Sequence, residues 1–339
     1  MNSITSAARL VGIGFPGTSP TRELVELVEI GVRSVILFAR NAGDRPEVAR
    51  TIREVKALAP EPADPILVCV DQEGGRTIRF REGFDPPPSM REVGDRGPDF
   101  AGEIGSRLAA DLRPVGVDLD LAPVVDVDSN PANPVIGSRS FGRDPELVAR
   151  CGVTLVQSMQ AGGVAACAKH FPGHGDTDED SHHDLPVLRH GRPRLEKVEL
   201  PPFRAVIEAG VAAIMTTHVV FDAIDPGVPA TMSRTAIDGL LRSELGFDGV
   251  VISDDLEMSA IADLPELRGD LGEAAVRAVE AGVDLVLCCH DPHRQHRVIE
   301  ALASAIDSGR IDRERVGRSH RRLDDLFARY VRARPDGVG

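Results

Sequence analysis

The sequence predicts a single (β/α)₈ barrel, and three observations support this fold class. The chain has 339 residues, which fits a barrel of about 250 residues with insertions. Eight short apolar runs recur along the chain, and helical patterns lie between them. Strands that alternate with helices, without a long linker, favour a barrel over a doubly wound sheet. We therefore expect one α/β domain over residues 1–339, without a second α/β sandwich domain.

The eight predicted strands are apolar runs that end in Gly, Pro or a polar cluster. They are Leu10–Phe15, Ser34–Ala39, Ile66–Val70, Val117–Val125, Val164–Ala168, Ala212–Thr216, Val250–Ser253 and Val283–Cys288. Most of these runs are continuously apolar rather than alternating. This pattern is typical of parallel strands that are buried on both faces.

Helical patterns fill the segments between the predicted strands. They cover Thr21–Gly31, Arg45–Leu58, Phe100–Leu112, Pro145–Ala161, a shorter stretch after Pro202, Ser233–Leu245 and Leu271–Ala281. Several patterns end in Gly-Val just before the next strand, as expected where glycine terminates a helix. A polar helix over about residues 311–333 is predicted to close the chain.

The composition limits the partners and the compartment of the protein. A formal net charge of −14 argues against a nucleic-acid partner or an anionic membrane surface. No run approaches the ~20 apolar residues of a membrane span, and the N-terminus does not resemble a signal peptide. The five cysteines are odd in number and lie mostly in apolar runs, as in a reduced protein. These features predict a cytoplasmic protein.

Polar and charged residues follow nearly every predicted strand. They are Asp71, Glu73, Arg76, Arg79, Asp126, Arg139, Lys169, His170, His218, Asp254, Asp255, His290 and Asp291. Each residue alone could be a solvated turn residue or a helix cap. In a barrel, however, the carboxyl ends of all strands converge on one point, where the active site is built. The whole set therefore predicts a functional site at that end.

The stretch 169–186, "KHFPGHGDTDEDSHHDLP", is the densest group of proton-carrying side chains. It permits three interpretations: a metal site, a proton-transfer site or a solvated polar loop. A metal would use His170, His174, His182 and His183, but the first two lie in a Pro-Gly segment rather than on a helix. We predict no metal and no other cofactor, and we expect residues 176–179 to be a solvated spacer.

The proton-transfer interpretation rests on Asp180 and His182, which lie two residues apart. A carboxylate beside an imidazole can select its tautomer and raise its pKa, so that the ring exchanges protons near neutrality. Asp254 could act as a nucleophile or as a charge stabiliser. A carboxylate opposite a general acid is the pair of catalytic groups that glycoside hydrolysis uses.

Five segments in fixed order resemble glycoside hydrolase family 3, and specifically its bacterial β-N-acetylglucosaminidase branch. They are "VDQEGGR", "APVVDV", "NPVIGSRSFG", "KHFPGHGDTDEDSH" and "VISDDLEM". The resemblance implies a retaining mechanism with Asp254 as nucleophile, His182 as general acid/base and Asp180 as the partner of His182. It implies sugar contacts from a second set of residues, namely Asp71, Arg79, Arg139, Lys169 and His170.

The resemblance also implies the substrate class. We expect N-acetylglucosamine linked to a muramic-type sugar, as in a muropeptide, with the reaction serving cell-wall recycling. A phosphorylase, in which phosphate replaces water, stays open, because a histidine acid/base repels an anionic acceptor less than a carboxylate does. A β-glucosidase, a non-catalytic sugar-binding barrel and a metal hydrolase also stay open as functions of this chain. Neither the oligomeric state nor the order of the 171–186 loop without substrate is predicted.

Overall fold

A closed barrel of eight parallel strands forms the centre of the molecule. The computed structural model describes residues 2–181 and 185–331. The barrel strands are β1 (Val11–Ile13), β2 (Ser34–Leu37), β3 (Leu67–Val70), β4 (Leu119–Asp120), β5 (Ala165–Phe171), β7 (Ala213–Thr216), β9 (Val250–Asp255) and β10 (Leu285–Cys288), while β6 (Val187–Leu188) and β8 (Val220–Phe221) form a separate parallel pair. Around the barrel the order is β1, β10, β9, β7, β5, β4, β3, β2. The predicted barrel and its eight strands are confirmed.

Helices surround the barrel. They are α1 (Ser3–Ala8), α2 (Arg22–Ile30), α3 (Arg45–Lys56), α4 (Met90–Arg96), α5 (Pro98–Val115), α6 (Pro145–Ala161), α7 (Arg192–Lys197), α8 (Leu200–Glu208), α9 (Ser259–Ala262), α10 (Leu271–Ala281), α11 (Pro292–Asp307) and α12 (Arg313–Tyr330), with a π-helix at Thr235–Glu244. Three short 3₁₀ turns lie at Ala39–Asn41, Gly137–Arg139 and Ala230–Met232. Within residues 2–181 and 185–331, no helix has the length and apolar character of a membrane span.

Helix α11 is the main element that the sequence analysis missed. The Asp291 side chain accepts the His293 N–H at its start, and Pro292 occupies the first turn. Both features are ordinary signals of a helix N-terminus. Buried residues such as Val298 and Leu302 then recur at helical spacing. The signal was therefore present in the sequence.

Two buried aspartates tie neighbouring strands together near their amino ends. Asp118 accepts the Val68 N–H at 2.9 Å and pairs with Lys56 of α3 at 2.6 Å. Asp284 accepts the Val251 N–H at 2.9 Å and pairs with Arg322 of α12 at 3.1 Å. These contacts join outer helices to the barrel at the end away from the predicted site.

Strand β5 extends further toward the carboxyl end than predicted. It runs for seven residues, and all seven are buried. Its pairing with β7 is irregular between Ala168 and Phe171, and the peptide bond between Lys169 and His170 is cis. Because the strand reaches this far, the side chains of Lys169 and His170 stand at the centre of the barrel mouth.

Candidate active site

A cavity of about 480 Å³ opens at the carboxyl end of the barrel. Pockets of this size accommodate small ligands such as a sugar ring. Its walls include Asp254 and all five predicted sugar contacts, namely Asp71, Arg79, Arg139, Lys169 and His170. The structure thus brings together six of the eight predicted site residues, while their roles stay predictions.

A network of charged side chains forms one wall of the cavity. Lys169 Nζ lies 2.8 Å from Asp71 Oδ1 and 2.6 Å from Glu73 Oε1. Arg139 holds Glu73 with two hydrogen bonds, from Nε at 2.8 Å and from Nη2 at 2.7 Å. Arg79 approaches Asp71 more loosely, at 3.3 Å. Paired charges with fixed geometry can present ordered hydrogen-bond donors and acceptors to sugar hydroxyls.

Mutual attraction keeps the buried members of this network ionised. Burial alone would raise the pKa of Glu73, but Arg139 and Lys169 hold it well below the usual range. Burial alone would lower the pKa of Lys169, but Asp71 and Glu73 raise it above the usual range. The wall therefore carries full charges at neutral pH.

His170 is oriented by a buried carboxylate. Asp126 Oδ2 lies 2.7 Å from His170 Nδ1, and Asp126 also accepts the backbone N–H groups of His170 and His174. An ionised carboxylate only accepts, so Nδ1 carries the hydrogen and Nε2 faces Arg139 at 3.4 Å. Burial would raise the pKa of Asp126, but His170 and His174 hold it low.

Asp254 is the penultimate residue of β9 and lines the cavity. Its Oδ1 accepts the N–H of Asp255 at 2.9 Å. Burial alone would raise the pKa of Asp254, but His218 and His170, together with the Asp255 N–H, hold it below the usual range. An ionised carboxylate at this place has the charge that a nucleophile needs.

The loop after β5 is anchored by His174, which is buried. Its Nε2 lies 2.9 Å from Ser181 Oγ, and its Nδ1 lies 3.0 Å from Thr177 Oγ1. Asn133 donates to the His174 carbonyl, and the Ala260 N–H donates to the Ser181 carbonyl. Burial lowers the pKa of His174 to about 4, so the ring is neutral and serves as a hydrogen-bonding anchor.

The expectation that residues 176–179 are a solvated spacer is wrong for two of them. Thr177 is buried against His174. Asp176 accepts a hydrogen bond from Ser129 at 2.9 Å and also contacts His190. These positions fasten the loop to its surroundings, whereas Asp178 and Glu179 are exposed as expected.

Two of the histidines from the sequence analysis, His182 and His183, lie outside the described residues. Asp180, the predicted partner of His182, is half-buried just before them. Within residues 2–181 and 185–331, no group of three or more His, Cys, Asp or Glu side chains is arranged to hold a metal ion. Nδ1 of His170 and both ring nitrogens of His174 are instead hydrogen-bonded within the protein.

Four residues that shape this site had no assigned role in the predicted reaction: Glu73, Asp126 and His218 were only members of the strand-end set, and His174 was only a possible metal ligand. Each follows or ends a strand, and that position is a signal the sequence does contain. Their partners, however, come from other loops. Glu73 and Arg139, for example, lie 66 positions apart in the chain. Position in the sequence therefore identifies such residues as candidates but does not indicate which residues they contact.

Comparison with known proteins identifies the family to which this architecture belongs. Residues 8–326 match the glycosyl hydrolase family 3 N terminal domain. The chain belongs to glycosyl hydrolase family 3. A beta-hexosaminidase of Nitrosomonas eutropha is 38% identical over 330 residues, which cover 94% of this chain and 92% of the relative. This family 3 chain is therefore an enzyme, a glycoside hydrolase.

Solved structures of family 3 proteins superpose closely on the chain. A family 3 β-N-acetylglucosaminidase from Paenibacillus has a TM-score of 0.95 at 42% identity, covering 100% of this chain. The chain spans 64% of the length of that protein. NagZ from Neisseria gonorrhoeae, solved with N-trifluoroacetyl-D-glucosamine, has a TM-score of 0.77 at 32% identity, covering 94% of this chain and 97% of NagZ.

Proposed function

We propose that the protein is a retaining β-N-acetylglucosaminidase that releases terminal N-acetylglucosamine. One observation carries the proposal: the ionised Asp254 carboxylate lines a sugar-sized cavity together with a network of paired charges. The names of the relatives support the choice of sugar, because they include a beta-hexosaminidase and a β-N-acetylglucosaminidase. The charged wall supports binding of a polyhydroxylated ring rather than an apolar ligand.

In the first step, Asp254 attacks the anomeric carbon and the glycosidic bond breaks. His182, with Asp180 as its partner, donates a proton to the departing oxygen. A glycosyl ester on Asp254 results. In the second step His182 accepts a proton from water, which attacks the anomeric carbon and releases the sugar and the Asp254 carboxylate. Two displacements at one carbon return the β configuration.

In this proposal the sugar is bound by five residues, namely Asp71, Arg79, Arg139, Lys169 and His170. Lys169 and Arg139 offer donors, and Asp71 offers an acceptor. His170 presents Nε2 as an acceptor, because Asp126 holds the hydrogen on Nδ1. A site built to hydrogen-bond particular hydroxyls discriminates strongly against sugars that lack them.

We further propose a peptidoglycan fragment as the natural substrate, with a muramic-type sugar as the leaving group, and the cytoplasm as the compartment. Binding of an N-acetylglucosamine analogue by NagZ supports the choice of the terminal sugar. The five cysteines, all unpaired and buried, support a reducing compartment. The identity of the leaving sugar is inferred from the family resemblance.

Turnover of aryl glycosides tests the proposed activity. We expect hydrolysis of aryl N-acetyl-β-glucosaminide and little turnover of aryl β-glucoside, with free N-acetylglucosamine as product whether or not phosphate is present. A sugar phosphate as product would instead make the enzyme a phosphorylase, and preference for the glucoside would make it a β-glucosidase. Absence of turnover on both substrates would leave only a sugar-binding role.

A further inference from the structure

The residue after the proposed nucleophile, Asp255, has a defined partner for each of its polar groups. Its N–H donates to Asp254 Oδ1 at 2.9 Å. Its carbonyl accepts the Met258 N–H at 3.1 Å and lies 3.0 Å from His218 Nε2. A carbonyl only accepts, so His218 must carry its hydrogen on Nε2 and donate it. The backbone on the carboxyl side of Asp254 is therefore fixed from two directions.

The Asp255 side chain adds two further contacts. Its Oδ1 accepts the Glu257 N–H at 3.1 Å, and its Oδ2 lies 3.2 Å from His290 Nε2. The Asp255 side chain is 14% exposed and the His290 side chain is 52% exposed, so solvent screens the contact between them in part. Strand β9 and the end of β10 are thereby joined directly beside the nucleophile.

Arg40 selects the tautomer of His290. Arg40 Nη1 lies 3.0 Å from His290 Nδ1, and a guanidinium can only donate. Nδ1 is therefore the acceptor, and the ring hydrogen sits on Nε2, facing Asp255. Arg40 is itself held by the carbonyls of Phe15 and Cys289 at 3.0 and 2.6 Å. Three side chains thus form a directional series that ends at Asp255.

The two oxygens of the Asp254 carboxylate are consequently unequal. Oδ1 is occupied by the Asp255 N–H, whereas no residue of the described ranges hydrogen-bonds to Oδ2. A hydrogen bond donated to a carboxylate oxygen stabilises the lone pairs of that oxygen and restrains its direction. The oxygen without such a donor is the better nucleophile.

We propose that Arg40, His290 and Asp255 form a positioning unit that directs Oδ2 of Asp254 at the anomeric carbon. The inference rests on the proposed role of Asp254. None of the three residues reacts. They hold the backbone amide of Asp255 on Oδ1 and so set the angle at which Oδ2 faces the cavity. Misplacement of a reacting atom by about 1 Å can reduce turnover about a hundred-fold.

D255N disturbs this positioning unit without changing the size of the substituted side chain. Oδ1 and Oδ2 both receive N–H groups, so either orientation of the new amide places its NH₂ against a donor, of Glu257 or of His290. We expect kcat on aryl N-acetyl-β-glucosaminide to fall about 10- to 100-fold. KM and the inhibition constant of N-acetylglucosamine should change less than about threefold, because Asp255 lines the cavity but is not one of the five proposed sugar contacts.

H290F is the second variant. The ring centroids of Phe38 and His290 lie 5.3 Å apart, and H290F keeps an aromatic ring at this place. We expect H290F to lower kcat about threefold to tenfold. In D255N/H290F one of the opposing donors is gone, so kcat should equal or exceed that of D255N. D291N is the matched control: Asp291 adjoins His290 but caps α11 without touching Asp255, and its kcat should stay within about twofold.

Three results would overturn the positioning unit: wild-type kcat in D255N, losses that multiply in D255N/H290F, or a rise in KM that parallels the loss in kcat. D254N is measured alongside. If D254N retains turnover, the proposed function fails as well, and the inference falls with it. If D254N is inactive while D255N is unaffected, the proposed function stands and only the positioning unit is rejected.

Discussion

At the scale of single residues, Glu73 shows how a buried charge organises the cavity wall. It receives two hydrogen bonds from Arg139 and one contact from Lys169. Both cations are proposed to touch the sugar, whereas Glu73 lies behind them and is only 2% exposed. Removing its charge would leave two buried cations without full neutralisation, which is costly in a poorly solvated site.

E73Q is therefore expected to be less stable than the wild type by about 3 kcal/mol at pH 7. The pKa of Glu73 is depressed by folding, so its stabilisation is complete above its ordinary value of 4.5 and is lost as pH falls below it. The stability gap between E73Q and wild type should thus narrow below about pH 4.5. Chemical unfolding of E73Q and the wild type at pH 7 and below about pH 4.5 measures this stability gap.

E103Q supplies the control for that experiment, because Glu103 is exposed on α5. Its free energy of unfolding should stay within about 0.5 kcal/mol of the wild type. Equal stability of E73Q and wild type at pH 7 would show that the network does not hold the wall together.

At the scale of elements, the site depends on contacts between loops that follow different strands. Asp126, after β4, accepts three N–H groups from the end of β5 and its loop. His174 and Thr177 then fasten that loop to Asn133, which lies beyond Asp126 in the chain. The β4 and β5 loops therefore form one structural unit.

D126N tests this connection. The new NH₂ group cannot accept, so at least one of the three N–H donors loses its partner, at a cost of about 1–3 kcal/mol. His170 also loses the carboxylate that selects its tautomer, so the inhibition constant of N-acetylglucosamine should rise. Thermal unfolding and inhibition assays measure the two effects. E179Q, on the exposed part of the same loop, should change neither, and an unaltered inhibition constant in D126N would contradict the role of Asp126.

The sequence predicted the elements of this region better than their contacts. All eight barrel strands were identifiable because continuous apolar runs mark strands buried on both faces. Lys169 and Asp254 were identifiable because each directly follows a predicted strand of such a fold. The pairing of His174 with Ser181, or of Asp255 with His290, depends on loop paths that no local pattern specifies. Helix α11, by contrast, carried a readable start signal at Asp291 and Pro292.

At the scale of the whole molecule, the barrel interior holds an acid in an unusual state. Asp120 of β4 is fully buried, its Oδ1 accepts the Gln72 N–H at 2.9 Å, and its Oδ2 has no hydrogen-bond partner within residues 2–181 and 185–331. Burial raises the pKa of Asp120 from 3.8 to about 8. The folded protein thus retains a proton that the unfolded chain releases near pH 4.

This proton makes folding stability depend on pH. Between about pH 4 and pH 8 the folded state binds one more proton at Asp120 than the unfolded state does, so stability falls as pH rises. D120N keeps the acceptor for Gln72 and cannot ionise. We expect D120N to exceed the wild type in stability by on the order of 5 kcal/mol at pH 8 and to match it near pH 4. The same difference in free energy of unfolding between D120N and the wild type at pH 4 and at pH 8 would contradict this assignment.

Trapping the glycosyl-enzyme is the most direct measurement of the central claim that Asp254 is the nucleophile. The enzyme is incubated with a slowly turned-over fluorinated N-acetylglucosaminide, quenched in acid, digested and examined by mass spectrometry. We predict that the peptide containing Asp254 gains the mass of one glycosyl residue and that D254N gains none. A label on another residue, or steady turnover by D254N, would contradict the claim.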